Sequence, residues 1–549
     1  MSKITVFTAK GIHTMEPTLP HANAVAVRDG IILEVGTLET LRPWLDSAPY
    51  EIDNQFADKY ILPGFIDPHL HPFIGAILLP TTFITAFEWN LPQGRVAPTR
   101  GCDAYLHRLS QVVDQDSGDK PVFVTWGYHP IWHGTVTRQD LNDISLTRPI
   151  VVWHRSFHEV ILNDAAIDAL AIDRDVMARH PQIDAATGRF FEMGAMVALE
   201  ALKPILFAPD WFGQGLQQLH QIVHQGGHTT VADMAWGMFD YEMEWSVTQN
   251  SFATEQPPYR MMVVPRGLPD VELSGSAQDA FDRVHALTDR GNDHMFLNKR
   301  VKFFADGAFF SQLMQMGAPG YIDGHHGEWM TAPEQLRDIM RPYWMAGYGI
   351  HVHCTGDLGL DLVLDILAQL QDEKPRFDHR FTVEHFGVAT SEQVRRLAAL
   401  GGIVSANVYY LHELGEAYWQ HSIGHERAAH MGRLGTLKRY NVPFALHSDF
   451  TMAPAQPLRS AWVAVNRVGE SGGVLGPNER ISVDDALRAI TIDAAYVLGQ
   501  EDHIGTIRAG KRADFTVLDQ DPLAVDPMHL KDIGVHATVF GGVAHLVTD

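Results

Sequence analysis

The sequence predicts an α/β fold, a (β/α)8 TIM barrel that carries a small β-sandwich built from both ends of the chain. Two observations predict this architecture. Eight short apolar segments recur along the middle of the chain, and a stretch with helical spacing follows each of them. The two chain ends instead alternate short strands with glycine turns. Because buried strands that alternate with helices form parallel sheets, eight such units are expected to close into a barrel.

The eight predicted barrel strands are apolar runs, several of which end in polar residues. In chain order they are YILPGFIDPHLH (60–71), HTTVADM (228–234), YRMMVVP (259–265), RVKFFADG (300–307), YGIHVHCTGD (348–357), HRFTVEHFG (379–387), GGIVSANVYY (401–410) and VPFALHSDF (442–450). About 155 residues separate the first strand from the second, which is too long for one strand–helix connection. The sequence therefore predicts a large insertion after barrel strand 1, at about 80–215.

Domain boundaries follow from the same pattern. Residues 1–61 and 500–549 are expected to pair into one composite sandwich, with a hairpin turn at Arg28–Gly30. Residues 62–499 form the predicted barrel with its insertion. One of the barrel helices, SEQVRRLAALGG, is expected to take Ser391 as its N-cap and to end at two glycines.

Composition limits the partners and the compartment. The chain has 549 residues and a formal net charge of −24, from 42 Lys and Arg against 66 Asp and Glu. So acidic a protein is not expected to bind nucleic acid or an anionic membrane. Its two cysteines, the lack of a long apolar run and an N-terminus unlike a signal peptide predict a cytoplasmic protein without disulfides.

Chemically active side chains gather at the C-terminal ends of the predicted barrel strands, where active sites of such barrels lie. They are His69 and His71 in strand 1, Lys302 and Asp306 in strand 4, His351, His353 and Asp357 in strand 5, Glu384 and His385 in strand 6, and His447, Ser448 and Asp449 in strand 8. Imidazole and carboxylate ligands suit zinc and similar divalent ions. The set therefore predicts a metal site.

Lys302 is the member of this set with no comfortable structural explanation. A lysine inside an apolar strand is costly to bury unless it is paired, and an ammonium group repels a metal ion. We therefore expect the Lys302 amine to be neutral, or to be carboxylated by CO2 to a carbamate that can bridge two ions. A single histidine at a strand end is more often structural than a ligand, so the prediction depends on the whole set. The histidines of GHHGEW (324–329) are interpreted as surface or lid residues.

Six motifs occur in barrel order along the chain. They are ILPGFIDPHLH, VKFFADG, HVHCTGD, FTVEH, HSD and the closing AAYVLGQEDHIGTIRAGKRADFTVLD. Together they resemble the metal-dependent amidohydrolase superfamily over nearly the whole chain. More narrowly, the chain resembles the YtcJ-like branch, which includes N-substituted formamide deformylases, and SFHEVILNDAAI (156–167) is similar to a histidine–asparagine motif of that branch's insert.

The resemblance implies a metal centre with one or two divalent ions, zinc foremost, and six ligands. The ligands are His69, His71, Lys302, His353, His385 and Asp449. The first two bind the more buried ion, Lys302 bridges as a carbamate, and His353 and His385 hold the second ion. Asp449 binds metal and acts as the general base. His351 shares a face with His353 and is a rival ligand, although His353 directly precedes the CTGD turn where the family places its ligand.

The implied reaction is hydrolysis of the C–N amide bond of an N-substituted, N-formyl or N-acyl small molecule by a metal-activated hydroxide. Asp357 and Glu384 lie beside ligands and are expected either to orient imidazoles or to form ordinary ion pairs. Substrate contacts are expected from one histidine of the insertion and from aromatic side chains. These residues are His158, Trp126, Trp153, Phe309, Tyr409 and Tyr410.

Other functions stay open on this sequence. The same fold serves cyclic amide hydrolases, deaminases, isomerases and non-catalytic scaffold relatives. Mononuclear deaminases of the superfamily carry a His-x-x-Glu pair after strand 5, and HVHCTGD has no glutamate three residues after either histidine. A scaffold relative is expected to have lost ligands, whereas this set is complete. The expected partners are a small-molecule amide and a second copy of the chain in a homodimer.

Overall fold

Eight parallel strands form the barrel, in two sheets that isolated bridges connect. We number them 1 to 8 in chain order: Phe65–Leu70, His228–Trp236, Arg260–Pro265, Arg300–Phe304, Gly349–Cys354, Thr382–His385, Ile403–Ala406 and Phe444–Leu446. Strands 1 to 3 share a sheet with the short strand Met295–Leu297, and strands 4 to 8 form the other sheet. Parallel bridges join Arg266 to Lys302 and Leu70 to Phe450. Each predicted barrel strand is present, and the predicted barrel fold is confirmed.

The computed structural model describes residues 2–267, 276–288 and 290–547. It divides into two compact units, one made of Met1–His71 and Val223–Asp549, the other of Pro72–Ile222. In the first unit the barrel strands are buried almost throughout, which explains why they read as apolar runs rather than alternating ones. Ile66, Met262 and Ala445 of three barrel strands pack in one cluster with Ala494 and Leu498.

The first unit also contains helices. They are Arg42–Leu45, Tyr241–Glu255, Ala277–Ala286, Pro333–Met345, Asp357–Glu373, Ser391–Leu400, Gly415–His421, His425–Ala429, Leu434–Arg439, Pro457–Asn466, Val483–Ala489 and Ile492–Leu498, with a π-helix at Tyr410–Leu414 and 3-10 helices at Pro477–Glu479 and Pro527–Asp532. No helix within the described ranges is both long and apolar enough to cross a membrane.

One predicted helix cap is wrong by a residue. The helix Ser391–Leu400 begins after Thr390, whose hydroxyl accepts from the Gln393 backbone N–H at 3.2 Å. The Gln393 side chain accepts from the Thr390 backbone N–H at 2.8 Å in return. Only Thr390 has a glutamine three residues later, so Thr390 rather than Ser391 completes a capping box. The helix ends at Gly401 in the left-handed region, as predicted.

Strands from both ends of the chain share one sheet. Its members are Ile4–His13, His21–Arg28, Ile31–Gly36, Tyr50–Asp53, Tyr60–Pro63, Phe515–Leu518, Val535–Phe540 and Val543–Leu546. The N-terminal and C-terminal parts meet where Tyr60–Pro63 pairs antiparallel with Phe515–Leu518. The predicted hairpin turn is present, because Asp29 and Gly30 both have positive φ and join two antiparallel strands.

The second unit, Pro72–Ile222, has its own sheet and core. Six strands form its sheet, in the order Ile183–Asp184, Arg189–Phe191, Glu159–Leu162, Ile150–His154, Phe123–Tyr128 and Thr82–Phe83, and Trp89–Leu91 pairs with Gly94–Val96. Its helices are Pro72–Leu78, Cys102–Asp114, Pro130–His133, Arg138–Ile144, Asp164–Ala169, Arg174–Arg179, Met193–Leu206 and Pro209–Gln225. Tyr105, Leu109, Phe123 and Val152 lie in its core.

Candidate metal centre

Four of the six predicted ligands meet at the C-terminal end of the barrel. His71 Nε2 lies 3.0 Å from Asp449 Oδ1, and His69 Nε2 lies 3.4 Å from the same oxygen. His385 Nδ1 lies 3.6 Å from Asp449 Oδ2. His69, His71 and Asp449 each offer one ligand atom, and these atoms lie within 4.8 Å of one another. The Asp449 carboxylate is therefore the common neighbour of three imidazoles.

The backbone at the ends of barrel strands 1, 6 and 8 aims these side chains at one point. Asp449 N–H donates to His69 O at 3.0 Å, and His71 N–H donates to Phe450 O at 2.8 Å. His385 and Asp449 have φ of 70° and 54°, in the left-handed region that non-glycine residues rarely adopt. Such strain costs of order 1–3 kcal/mol per residue and persists where surrounding contacts enforce it.

Asp67 connects strand 1 to the end of strand 8 through hydrogen bonds beside the cluster. Its carboxylate accepts from the His69 backbone N–H at 3.1 Å and from the Ser448 hydroxyl at 2.5 Å. The Ser448 backbone N–H donates to it as well, at 3.2 Å. Because both partners adjoin site residues, Asp67 holds the two strand ends in register.

Glu384 contacts two histidines with one carboxylate. Its Oε2 lies 2.6 Å from His69 Nδ1, and its Oε1 lies 2.6 Å from His351 Nδ1. The contact with His69 fixes the ring so that Nε2 faces Asp449. Burial opposes the charge of Glu384, but His351 and Lys302 outweigh burial and hold its pKa below the ordinary value. The Glu384 carboxylate therefore orients the candidate ligand His69 through the ring nitrogen that does not face Asp449.

His447 belongs to this cluster, although it is not one of the six predicted ligands. Its ring stacks on that of His69 with centroids 4.5 Å apart, and lies 5.2 Å from the ring of His385. One ligand atom from each of these three histidines lies within 4.8 Å of the others. Neither ring nitrogen of His447 has a hydrogen-bond partner in the described part of the chain. Its position two residues before Asp449 was the signal that sequence reasoning left unused.

The strand 5 histidines have different surroundings. The ring of His353 lies 4.4 Å from that of His385, and its Nε2 lies 3.4 Å from Gly307 O. His351 is fully buried and turns its Nδ1 to Glu384. The choice of His353 as the ligand stays a prediction, and both histidines lie outside the two tight groups of ligand atoms described above.

Lys302 is fully buried, and its Nζ has no hydrogen-bond partner among the residues that the structure describes. Burial lowers the pKa of its amine to about 8, against the opposing effect of Glu384 and Asp449. An amine with so low a pKa is partly neutral near neutral pH. Its environment therefore meets the first requirement for carboxylation.

The cluster fits a divalent cation. Burial, followed by neighbouring positive groups, lowers the pKa of His69 and His385 well below the ordinary value, so both rings are neutral with free lone pairs. Burial would raise the pKa of Asp449, but His71 and other nearby groups hold it below the ordinary value. Several neutral imidazoles with one carboxylate, and the buried nitrogens of His447 without a partner, make a donor set for such an ion.

Three predicted aromatic contacts lie near this cluster or behind it. Tyr410 has its ring 6.4 Å from that of His385, and Phe309 stacks on Tyr410 at 4.0 Å. Tyr409 is fully buried, with the Arg459 guanidinium 5.9 Å from its ring. Tyr410 therefore lies beside His385, and Phe309 packs on Tyr410.

The other predicted contacts lie in the second unit and stay predictions. Trp126 is fully buried against Trp89 and Phe83, with ring centroids 5.5 and 4.8 Å away. Trp153 donates from Nε1 to Phe157 O at 3.4 Å. His158 is partly exposed, and its Nδ1 lies 3.0 Å from a Glu192 carboxylate oxygen. The structure thus gives each a local partner within its own unit.

Asp357 and the GHHGEW loop take structural contacts. Asp357 accepts from Gly317 N–H at 2.7 Å and pairs with Arg427 at 2.9 Å, and its hydrogen bonds in the described ranges include no histidine. His325 lies 2.5 Å from Asp323 Oδ1 and 2.7 Å from Gln312 O. Asp357 therefore forms an ordinary ion pair, which was one of the two roles expected for it.

Comparison with known proteins finds relatives that are similar to this chain in sequence and in fold. A family model described as an amidohydrolase family matches residues 57–544. The N-substituted formamide deformylase of Arthrobacter pascens is 23% identical over 555 residues, 97% of this chain and 96% of that protein. The protein YtcJ of Bacillus subtilis is 24% identical over 552 residues, 97% of both chains. The crystal structure of an uncharacterized metal-dependent hydrolase from Pyrococcus horikoshii has a TM-score of 0.74 at 19% identity, over 96% of this chain and 99% of that one.

Proposed function

This chain belongs to the amidohydrolase family and is a metal-dependent hydrolase of carbon–nitrogen bonds, and from that premise we propose that it cleaves the amide bond of an N-formyl or N-acyl amine. The observation that supports this best is the Asp449 carboxylate among His69, His71 and His385. Likeness to a formamide deformylase along 97% of the chain favours small N-substituted amides.

We assign the metal ligands to His69, His71, His385 and Asp449, with His353 and Lys302 completing the set. Zinc is the ion that suits neutral imidazoles and carboxylate best. A bound ion of this kind supplies positive charge that polarises a carbonyl group and lowers the pKa of water to about 7. Glu384 keeps His69 turned toward the site through its 2.6 Å contact with Nδ1.

Asp449 is the proposed general base. Its pKa is held below the ordinary value, so the carboxylate is ionised at neutral pH and ready to accept a proton. It takes that proton from the attacking water and returns it to the amide nitrogen as the C–N bond breaks. One residue thus serves both halves of the reaction, as general acid–base catalysis requires.

Lys302 is the proposed site of carboxylation. Its neutral Nζ attacks the carbon of CO2, so an N–C bond forms, one C–O π bond opens onto oxygen, and one proton passes from the nitrogen to solvent water. The product carries one negative charge on two oxygens where the ammonium form carried one positive charge. Full burial and the lack of a partner for Nζ in the described residues support this step, because an unpaired ammonium is costly to bury and the negative carbamate would instead be offset by the bound metal ion.

A substrate screen tests this function. The protein is purified, stripped with a chelator, reloaded with zinc and incubated with N-formyl amines, N-acyl amines, cyclic amides and amino-purines or amino-pyrimidines. We expect amine release from the first two classes only, and loss of that activity in the stripped protein. Ammonia release from the amino-heterocycles alone would favour a deaminase, and ring opening alone a cyclic amide hydrolase. Mass spectrometry of the intact protein in bicarbonate buffer tests for a carboxylated lysine.

A further inference from the structure

Tyr410 begins the π-helix Tyr410–Leu414, shortly after barrel strand 7 ends. π-Helical turns are rare and occur frequently at functional sites. The ring of Tyr410 lies 6.4 Å from the ring of His385, a proposed metal ligand. The irregular turn therefore places a tyrosine beside the metal centre.

A stack of aromatic rings fixes the orientation of Tyr410. Its ring lies on that of Phe309 with centroids 4.0 Å apart and an interplanar angle of 1°. Tyr418 stacks on Phe309 at 5.2 Å, and the Tyr418 hydroxyl donates to Phe309 O at 2.5 Å. A Cβ at Gly387 would lie 2.5 Å from the Phe309 ring, so only glycine there lets the stack approach strand 6. Tyr410 is thus held rigidly against the end of the barrel.

The Tyr410 hydroxyl is available to a ligand. Tyr410 is 3% exposed, and its hydroxyl makes no hydrogen bond to any residue that the structure describes. Buried tyrosine hydroxyls usually have a partner. A tyrosine phenol has an ordinary pKa of about 10. The hydroxyl is therefore protonated at neutral pH and can donate.

We propose that Tyr410 donates a hydrogen bond from its hydroxyl to the carbonyl oxygen of the amide that is hydrolysed. The proposal depends on the proposed function and adds to it a second group that acts on the reacting carbonyl. As water adds to the carbonyl carbon, negative charge develops on that oxygen. A rigid donor placed there stabilises the transition state more than the ground state.

The Tyr410→Phe variant tests the proposal, because it keeps the ring and the stack and removes only the hydroxyl. We expect kcat for the best amide substrate to fall by about 10²-fold, with KM changed by less than about threefold. Zinc content should equal that of the unmodified protein. Tyr343→Phe is the matched control: it removes a buried hydroxyl that donates to Ala280 O at 3.3 Å, away from the site, and should leave kcat unchanged.

A binding measurement separates this proposal from the proposed function. Acetohydroxamate presents an amide carbonyl and binds zinc through its hydroxamate oxygens; its affinity for the zinc-loaded protein is measured by calorimetry, and chromatography checks that it stays intact during the measurement. We expect Tyr410→Phe to weaken binding by about tenfold. If no amide is hydrolysed but this loss is seen, the proposed function is wrong and the Tyr410 contact stands. If Tyr410→Phe turns over amides at the unmodified rate, or binds acetohydroxamate equally well, the proposal is overturned.

Discussion

Two groups of buried histidines in this chain use their ring nitrogens in opposite ways. In the unit Pro72–Ile222, His133 accepts from the His129 backbone N–H at 2.9 Å and bonds to Thr99 O at 3.0 Å. His154 bonds to the Ser156 hydroxyl at 2.8 Å. These nitrogens are used by neighbouring backbone and hydroxyl groups, so the rings are part of the local structure.

At the barrel end the nitrogens face one another instead. His69 Nε2 lies 3.4 Å from His71 Nε2, and both approach the Asp449 carboxylate. Neither nitrogen of His447 is bonded to another described residue. Imidazole nitrogens that gather around one buried carboxylate form a donor set that suits a cation. The comparison shows that convergence of the nitrogens on one point, rather than burial or histidine content, distinguishes a metal centre from a packed core.

Among the variants that test this comparison, Asp449→Asn should cause the largest loss of activity. The amide keeps the size of the side chain but removes the negative charge and the base, so kcat/KM should fall by about 10⁴-fold. Circular dichroism should be unchanged, because asparagine fills the same space as aspartate. Steady-state kinetics on the amide substrate measure the effect, and near-normal turnover would contradict the assignment of Asp449 as the base.

His385→Gln and His133→Gln compare the two groups directly. His385→Gln removes a proposed ligand, so zinc retained after dialysis should fall to less than about a tenth of the unmodified level. His133→Gln should retain zinc and instead lower the free energy of unfolding by about 2 kcal/mol, because the hydrogen bonds of a buried ring are lost. Elemental analysis and urea unfolding are the measurements. Equal zinc content in both variants would contradict the division into metal-binding and structural histidines.

Glu384→Gln tests whether Glu384 orients the ring of His69. The amide can still contact His69 but no longer carries the charge that fixes the ring, so zinc affinity should fall 10- to 100-fold. Competition with a chromogenic chelator measures this affinity. Glu373→Gln, at a surface ion pair with Arg337, is the control and should change nothing. A Glu384→Gln protein with normal zinc affinity would limit Glu384 to a packing role.

The smallest expected effect is a fall in the free energy of unfolding as pH is lowered. Burial lowers the pKa of His133 to about 4 and that of His154 to about 3, from 6.5 in the unfolded chain. The unfolded chain therefore binds protons first as pH falls, so stability is full above pH 6.5 and declines below it. Between pH 6.5 and 5.5 we expect a loss of about 1 kcal/mol per histidine in urea unfolding of the metal-free protein. His133→Gln should reduce that loss, and an unchanged slope would count against its neutral, buried state.

The barrel was predictable because its signal is local. A buried parallel strand is a short apolar run, and all eight runs became strands. The C-terminal ends of barrel strands lie at one edge, so the polar residues there were expected to lie close together. Four of the six predicted ligands do converge.

The rest depended on geometry that sequence does not encode locally. His447 meets His69 and His385 only because strands 1, 6 and 8 end at the same place in the assembled barrel, and residue patterns do not reveal which strand-end histidines touch. The double contact of Glu384 joins strands 1, 5 and 6, so it exists only once the barrel is assembled. The second unit mixes short strands and helices without a regular period, which is why its own sheet was not anticipated.

The Asp67–Ser448 contact has a consequence for how the site is made in the cell. Its two residues are 381 positions apart, so they meet only after nearly the whole barrel has left the ribosome. Contacts of such sequence separation form late in folding. His69 and His71 are therefore synthesised early but have no complete site until strand 8 arrives. A nascent or C-terminally truncated chain should be unable to hold the ion, which makes metal loading a report on completed folding.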